Sequence, residues 1–220
     1  MAGKQSTGGR QNRKNTPEKL VGVLNLQGGV REHLNMLNQL KNIQAHKIKD
    51  PRKLRKFDAL IIPGGESTTI GKLIQDSNFV DPILNFHELH KPIWGTCAGA
   101  ILLAKNIFST SKTKKTKWEK YQFQLGLLNI TIQRNGYGSQ LDSFICRKKI
   151  PAFSNQPLEL VFVRAPKITA TGANVKELAR VEDSIVAAEK DNLLVTTFHP
   201  ELTDNPAVHR YFVNKINSRQ

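Results

Sequence analysis

The sequence predicts a three-layer α/β fold, a mainly parallel sheet flanked by helices. Three observations predict it. Short apolar runs end on glycine-containing turns, as at Leu20–Leu26 before Gln27-Gly28-Gly29 and Phe57–Ile62 before Pro63-Gly64-Gly65. The segments between such runs carry apolar residues at helical spacing. Strands and helices then alternate at the interval expected of parallel βαβ units.

Each element follows from its local pattern. Leu20–Leu26 is a buried strand, and Val30, Leu34, Leu37 and Leu40 mark one face of the helix after it. Ala45–Ile48 is a second strand and Phe57–Ile62 a stronger third. Ser67 or Thr68 is placed to cap the next helix. Ile93–Thr96 is a short buried strand, followed by a helix over Ala98–Lys105. Further strands are expected at Leu127–Gln133, Leu158–Val163, Ser184–Glu189 and Leu193–Phe198, with Lys190-Asp191-Asn192 turning a hairpin between the last two. Pro206 opens a final helix whose apolar face is Val208, Tyr211, Phe212 and Ile216.

Composition narrows the function classes. The 220 residues are enough for one domain with a substantial core. No run of 18 apolar residues is present, so a membrane is not an expected partner, and the first residues lack the apolar stretch of a secretory signal. Two cysteines, Cys97 and Cys146, cannot form a disulfide framework, and a reducing, cytoplasmic setting is expected. The formal charge of +15 is concentrated in two places. Residues 1–19 hold five basic side chains against Glu18, and residues 105–124 hold six lysines against Glu119. The first stretch is rich in Gly, Ser, Asn and Gln and reads as a disordered basic tail, with the domain spanning 20–220. A transit peptide would need an amphipathic helix, which Gly3, Gly8, Gly9 and Pro17 oppose. The second stretch, 106–124, reads as a lysine-rich surface insertion. The N-terminal stretch interleaves no aromatic residues with its basic ones, so a stacking platform is missing there, and nucleic acid is not an expected partner.

Gly95-Thr96-Cys97-Ala98-Gly99 joins a strand to a helix with the spacing of a nucleophile elbow. An ordinary cysteine is a small buried hydrophobe, and Cys146 is read that way. At Cys97 the flanking glycines permit a sharp turn, the helix N-terminus favours thiolate, and the Ala98 N–H faces a developing oxyanion. Phe198-His199-Pro200-Glu201 follows another strand. Pro200 biases His199 toward an extended backbone, where residues two apart point the same way, so Glu201 can orient the His199 ring. His33, His46, His87, His90 and His209 lack such a setting and are read as structural. Gly64-Gly65 lets backbone approach a ligand, and Glu66 is placed to meet an ammonium. Walker spacing is absent there, and Glu66 would repel a phosphate.

Seven blocks in order now carry a resemblance: Leu26-Gln27-Gly28, Pro63-Gly64-Gly65-Glu66-Ser67-Thr68, Trp94-Gly95-Thr96-Cys97-Ala98-Gly99, Arg134-Asn135, Asp142-Ser143-Phe144, Arg164-Ala165-Pro166 and Phe198-His199-Pro200-Glu201-Leu202. From about Val21 to Phe212 the chain resembles the class I glutamine amidotransferases. Within them it looks like the branch of glutaminase subunits of pyridoxal 5′-phosphate synthase. The resemblance implies a flavodoxin-like fold and hydrolysis of L-glutamine by Cys97 as nucleophile, His199 as acid/base and Glu201 as its orienter. It also implies glutamine binding by Gly65, Glu66, Ser67, Arg134, Val163 and Arg164, and an oxyanion hole from the Gly65 and Ala98 backbone. No cofactor and no metal is expected. The implied partner is a (β/α)₈-barrel synthase subunit that consumes the ammonia, docking near the Gln27 turn and the helix after it and reorganising the loop at Gly64-Gly65. A glutaminase serving histidine or nucleotide synthesis, or a non-catalytic regulatory subunit of the same fold, are the alternatives. Gln27-Gly28-Gly29 and Gly136-Tyr137 depart from the usual pattern, and neither departure touches the three catalytic positions.

Overall fold

The computed structural model describes residues 18–109, 122–136 and 143–216. The chain runs β1 (Lys19–Leu24), α1 (Val30–Leu37), β2 (Ile43–Ile48), a 3₁₀ turn, β3 (Ala59–Ile62), α2 (Ser67–Asp76), α3 (Val80–Glu88), β4 (Ile93–Thr96), α4 (Ala98–Leu103) and β5 (Ala104–Ser109). The second half holds β6 (Leu128–Arg134), β7 (Ser143–Lys148), β8 (Leu158–Val163), β9 (Lys167–Thr171), β10 (Lys176–Val181), β11 (Ser184–Lys190), β12 (Leu193–Thr196), a 3₁₀ turn at Pro200–Leu202 and α5 (Ala207–Asn214).

Ten of these strands form one sheet in the order β2-β1-β3-β4-β12-β11-β9-β6-β5, with β10 on β11. The first five are mutually parallel, and the strands beyond them mix antiparallel pairs with the parallel pair β5–β6. The expected hairpin joins β11 to β12, where Lys190 pairs with Leu193 and Asp191 takes a positive φ. β7 and β8 form a separate antiparallel pair.

The parallel strands are apolar on both faces because both faces are covered. All four residues of β3 are buried and alternate between two cores. Leu60 and Ile62 join Ile70, Ile74, Phe86 and Leu102 of α2, α3 and α4. Ala59 and Ile61 join Val30, Leu37, Val208 and Phe212 of α1 and α5. Trp94 of β4 faces this second core and Ile93 the first. Three layers result, as the sequence predicts. Each fully buried side chain of this size contributes about 1.5–3 kcal/mol, so these four-residue strands are anchored well enough to hold the loops at their carboxyl ends.

Several local expectations are corrected. Lys19, the last residue of the expected tail, pairs with Ile43 inside the sheet, and residues 1–17 of that tail lie outside the described residues. Asn106–Ser109, the first part of the expected insertion, extend β5 along β6; residues 110–121 lie outside the described residues. The predicted helix from Ala98 ends at Leu103, because Ala104 turns to extended backbone and opens β5. The cap of α2 is neither Ser67 nor Thr68. Glu66 has the extended backbone of a cap residue and its carboxylate accepts from the Thr68 and Thr69 N–H groups. Among the described residues, no helix is long and apolar enough to cross a membrane.

Candidate active site

Four loops meet at the carboxyl ends of adjacent parallel strands, the usual ligand position in open α/β sheets. They follow β1 (Gln27–Gly29), β3 (Gly64–Glu66), β4 (Cys97) and β12 (His199–Glu201). Cys97 sits at the first residue before α4 with φ +48° and ψ −101°, a strained conformation for a side chain of any size. Its own N–H is fixed by the Thr196 carbonyl at 2.8 Å. The glycines on either side are required by close backbone approach. A Cβ on Gly95 would lie 2.5 Å from the Gly99 carbonyl, and one on Gly99 2.1 Å from the Ile62 carbonyl oxygen.

His199 and Glu201 are joined by a 2.7 Å bond from Nδ1 to Oε1. The route to this geometry differs from the extended segment expected. Pro200 begins a 3₁₀ turn, a position its missing N–H and fixed φ suit. The tight turn, not an extended strand, brings the side chains two residues apart together. With Nδ1 on the carboxylate, Nε2 is the nitrogen left for the Cys97 thiol. Burial opposes a charged His199 ring, but its bonds to Cys97 and Glu201 outweigh that and push its pKa up to about 10. Glu201 is 5% exposed. Burial acts to raise its pKa, yet His33 and His199 beside it draw it below the ordinary carboxylate value.

A cavity of about 320 Å³ opens above these groups, of a size for a small molecule. Cys97, Ala98 and His199 line it, as do all six positions expected to bind glutamine: Gly65, Glu66, Ser67, Arg134, Val163 and Arg164. Gln27, Ile101 and Asn135 complete the wall. Arg134 reaches from β6 to Glu66 Oε1 at 3.4 Å and to Thr68 Oγ1 at 3.3 Å, so a guanidinium and a carboxylate share one rim. The Glu66 carboxylate is held below its usual pKa, since the Thr68 and Thr69 N–H bonds and the Arg134 charge outweigh its partial burial. Ser67 is buried and directs its hydroxyl to Gln122. The Val163 carbonyl accepts from Cys97 Sγ at 3.9 Å, within the reach of a sulfur donor. Arg164 and Asn135, like Cys97, have positive φ, which concentrates backbone strain around the cavity.

The loop after β3 is locked to the turn after β1. Gln27 Oε1 accepts from the Glu66 N–H at 2.8 Å, and the Gly29 N–H donates to the Gly64 carbonyl at 3.1 Å. A Cβ on Gly65 would lie 2.4 Å from Gln27 Oε1, so these contacts depend on glycine.

A profile of the SNO glutamine amidotransferase family matches residues 23–218. The chain belongs to that family. It is 50% identical over 198 residues to pyridoxal 5′-phosphate synthase subunit PdxT of Caldanaerobacter subterraneus, covering 90% of this chain and 99% of that one. The corresponding PdxT of Clostridium botulinum is 45% identical over 196 residues, covering 89% and 96%. A crystal structure of a glutamine amidotransferase superposes with a TM-score of 0.79 at 38% identity, covering 90% of this chain and 98% of that one.

Within this family member, sequence reasoning missed two residues at the site. His33 of α1 and His209 of α5, read as ordinary structural histidines, are fully buried, His33 beside Glu201 and His209 behind His33. His33 Nε2 lies 3.6 Å from Glu201 Oε2, and His33 Nδ1 lies 2.9 Å from His209 Nε2. Helical spacing gives His33 a place on the buried face of α1, with Val30 and Leu37, and that position is the one signal the sequence contains. Cys146 is only partly buried on β7, where burial raises its thiol pKa, and it does not line the cavity. No group of His, Cys, Asp and Glu suited to a metal occurs among the described residues.

Proposed function

We propose that Cys97, His199 and Glu201 hydrolyse L-glutamine to L-glutamate and ammonia, in the glutaminase subunit of a pyridoxal 5′-phosphate synthase. Cys97 Sγ, whose proton rests on His199 Nε2, attacks the side-chain amide carbon, and the carbonyl electrons move to an oxyanion held by the Gly65 and Ala98 N–H groups. His199 gives its Nε2 proton to the amide nitrogen, the C–N bond breaks, and ammonia leaves a glutamyl thioester. His199 then takes a proton from water, which adds to the thioester. Collapse breaks the C–S bond, releases glutamate and leaves the proton on His199 beside Cys97 Sγ, ready for the next turnover. Glu66 meets the α-ammonium of glutamine, and Arg134 with Arg164 meets its α-carboxylate, while Ser67 and the Val163–Arg164 backbone shape the pocket.

The observation that carries this reading is the 2.7 Å His199–Glu201 bond, with His199 and Cys97 lining the same cavity. Fifty per cent identity to proteins called synthase subunits supports the B6 assignment over a glutaminase of histidine or nucleotide synthesis. The partner is a (β/α)₈-barrel synthase subunit, and direct transfer keeps ammonia from being lost to solvent. The Gln27–Gly29 turn, tied by two hydrogen bonds to the Gly64–Glu66 loop, transmits docking of that partner to the oxyanion hole. Free thiols at Cys97 and Cys146 suit the reducing cytoplasm. With the synthase subunit present, Cys97→Ala and His199→Asn each reduce glutamine-dependent ammonia release by about 10⁴-fold or more. Substantial release from either variant overturns the triad, and failure of the wild-type Cys97 to be labelled by a glutamine-analogue electrophile points to a non-catalytic subunit.

A further inference from the structure

The proposed mechanism uses one oxygen of Glu201. Oε1 is bonded to His199, while Oε2 is buried without a hydrogen-bond partner among the described residues. A carboxylate this deeply buried needs donors on both oxygens to remain ionised at low cost. What faces Oε2 is His33 Nε2, at 3.6 Å.

His33 is itself fixed on several sides. Its Nε2 is 3.1 Å from Thr96 Oγ1 and its Nδ1 2.9 Å from His209 Nε2. Trp94 stands edge-on to both rings, with centroids 5.4 Å from His33 and 4.9 Å from His209. The Trp94 indole N–H is in turn held by Thr196 Oγ1. Three elements, α1, β4 and α5, thus set the orientation of one imidazole. The buried neighbours also select its tautomer. With the proton on Nδ1, His33 would turn a lone pair toward a carboxylate and leave the Nδ1–H of His209 buried without an acceptor. With the proton on Nε2, His33 aims an N–H at Glu201 and Thr96 and accepts at Nδ1 from His209 Nε2–H. The second arrangement leaves only an unshared His209 lone pair. Burial, against the opposing pull of Glu201, lowers the pKa of His33 and keeps the ring neutral.

We infer that His33, on the triad reading above, is a positioning residue for glutamine hydrolysis, its Nε2–H holding Glu201 Oε2 so that Oε1 stays aimed at His199. Thr96 and His209 fix the ring that does this. The ionisable groups facing Glu201 are His199 from its own segment and His33 from α1. Glu32 of α1 stands across Gly29, where a Cβ would lie 3.2 Å from Glu201 Oε1 and 3.8 Å from Glu32 Oε2. His209 of α5 stands behind His33, and Cys97 beyond His199.

The test is glutamine hydrolysis by the full chain with its synthase subunit, for His33→Phe, His33→Gln and His33→Asn beside Cys97→Ala. The amide nitrogen of glutamine reproduces Nε2 of histidine, whereas that of asparagine falls near Nδ1. His33→Phe and His33→Asn are expected to lose about 10–100-fold in kcat, as removal of outer-shell orienting groups does, with KM little changed. Their acid limb moves to higher pH, because Glu201 without its donor protonates more readily. His33→Gln retains most of kcat. Equal loss in His33→Gln and His33→Asn, or wild-type kcat and pH profile in all three, overturns the role of His33 while leaving the triad intact. If His33→Phe does not fold, the contrast between Gln and Asn decides. Retained activity in Cys97→Ala would instead overturn the triad reading on which the inference rests.

Discussion

Replacing Gly64 with alanine places a methyl carbon 2.4 Å from His199 Cε1, 3.1 Å from its Nδ1 and 3.3 Å from Cys97 Cβ. Ordinary carbon contacts need about 3.5 Å or more, so the imidazole has to move by about 1 Å. The loop cannot retreat instead. Its carbonyl is held by the Gly29 N–H at 3.1 Å, and Gly28 is packed so closely that a Cβ there would be 1.7 Å from the same oxygen. His199 therefore yields, at the expense of its 2.7 Å bond to Glu201 and of its alignment with Cys97. A misplacement of about 1 Å costs on the order of 10²-fold in rate. Steady-state glutaminase assays of Gly64→Ala with the synthase subunit should show kcat reduced by about that factor, with thermal stability largely kept. Gly126→Ala is the control: its φ of +68° makes alanine costly by about 1 kcal/mol, but nothing lies within 4 Å of the added carbon. That variant should melt a few degrees lower with unchanged kcat. A Gly64→Ala enzyme with wild-type kcat would refute the claim that this glycine exists to make room for His199.

Two further outcomes follow from the electrostatics. His199 stays protonated to about pH 10, so ammonia release should fall as pH rises through about 10 and not near 6.5. The stabilisation linked to this raised pKa is fully present below 6.5 and is lost as pH rises through 10. Glu201→Gln removes one of the groups holding the proton and should move the limb to lower pH, which separates it from titration of the substrate ammonium; an alkaline limb near 6.5 in the wild type would contradict the coupling. Glu66→Ala removes the cap of α2 and the partner of Arg134, and should cost about 1 kcal/mol in denaturant unfolding together with a raised KM for glutamine. Unchanged stability would show that the Thr68 and Thr69 N–H groups find other acceptors.

The buried half of the sheet was readable because its strands are apolar on both faces. β4 and β8 fall at the predicted residues, and β3 and β12 lie inside their predicted runs. The strands without an expectation are of another kind. β10, with the sequence Lys-Glu-Leu-Ala-Arg-Val, pairs with β11 through two register shifts and has mostly exposed or half-exposed side chains, so no apolar period marks it. β5 begins directly after α4, and its Ala-Lys-Asn-Ile-Phe-Ser run is indistinguishable by pattern from a polar insertion. The sheet partner, β6, decides its conformation. Similarly, Glu66 caps α2 although Ser and Thr follow it, because the sharp exit from β3 leaves Glu66 the residue with an extended backbone.

The site was legible to the depth at which chemistry restricts the backbone. Gly95, Gly99, Gly64 and Gly65 are fixed by atoms that approach within 2.1–2.5 Å of where a side chain would begin, and such glycines flank the reactive residues in the linear sequence. His33 and His209 leave no comparable trace. They are 176 residues apart, on helices that meet only after folding, and each alone is an ordinary polar residue on an apolar face. Their link to Glu201 also explains why an acid 5% exposed can remain ionised beside an oily core. His199 donates to one oxygen, a neutral imidazole faces the other, and a ring behind it supplies the hydrogen bond that keeps it there. Removing the outermost ring tests whether the chain acts as a unit. His209→Phe leaves every group of the triad in place but deprives His33 Nδ1 of its donor, so the proton can move from Nε2 to Nδ1 and turn a lone pair toward Glu201. If orientation passes along the chain, His209→Phe lowers kcat in the same sense as His33→Phe, and the double variant loses little more than His33→Phe alone. Additive losses would mean that His209 only packs.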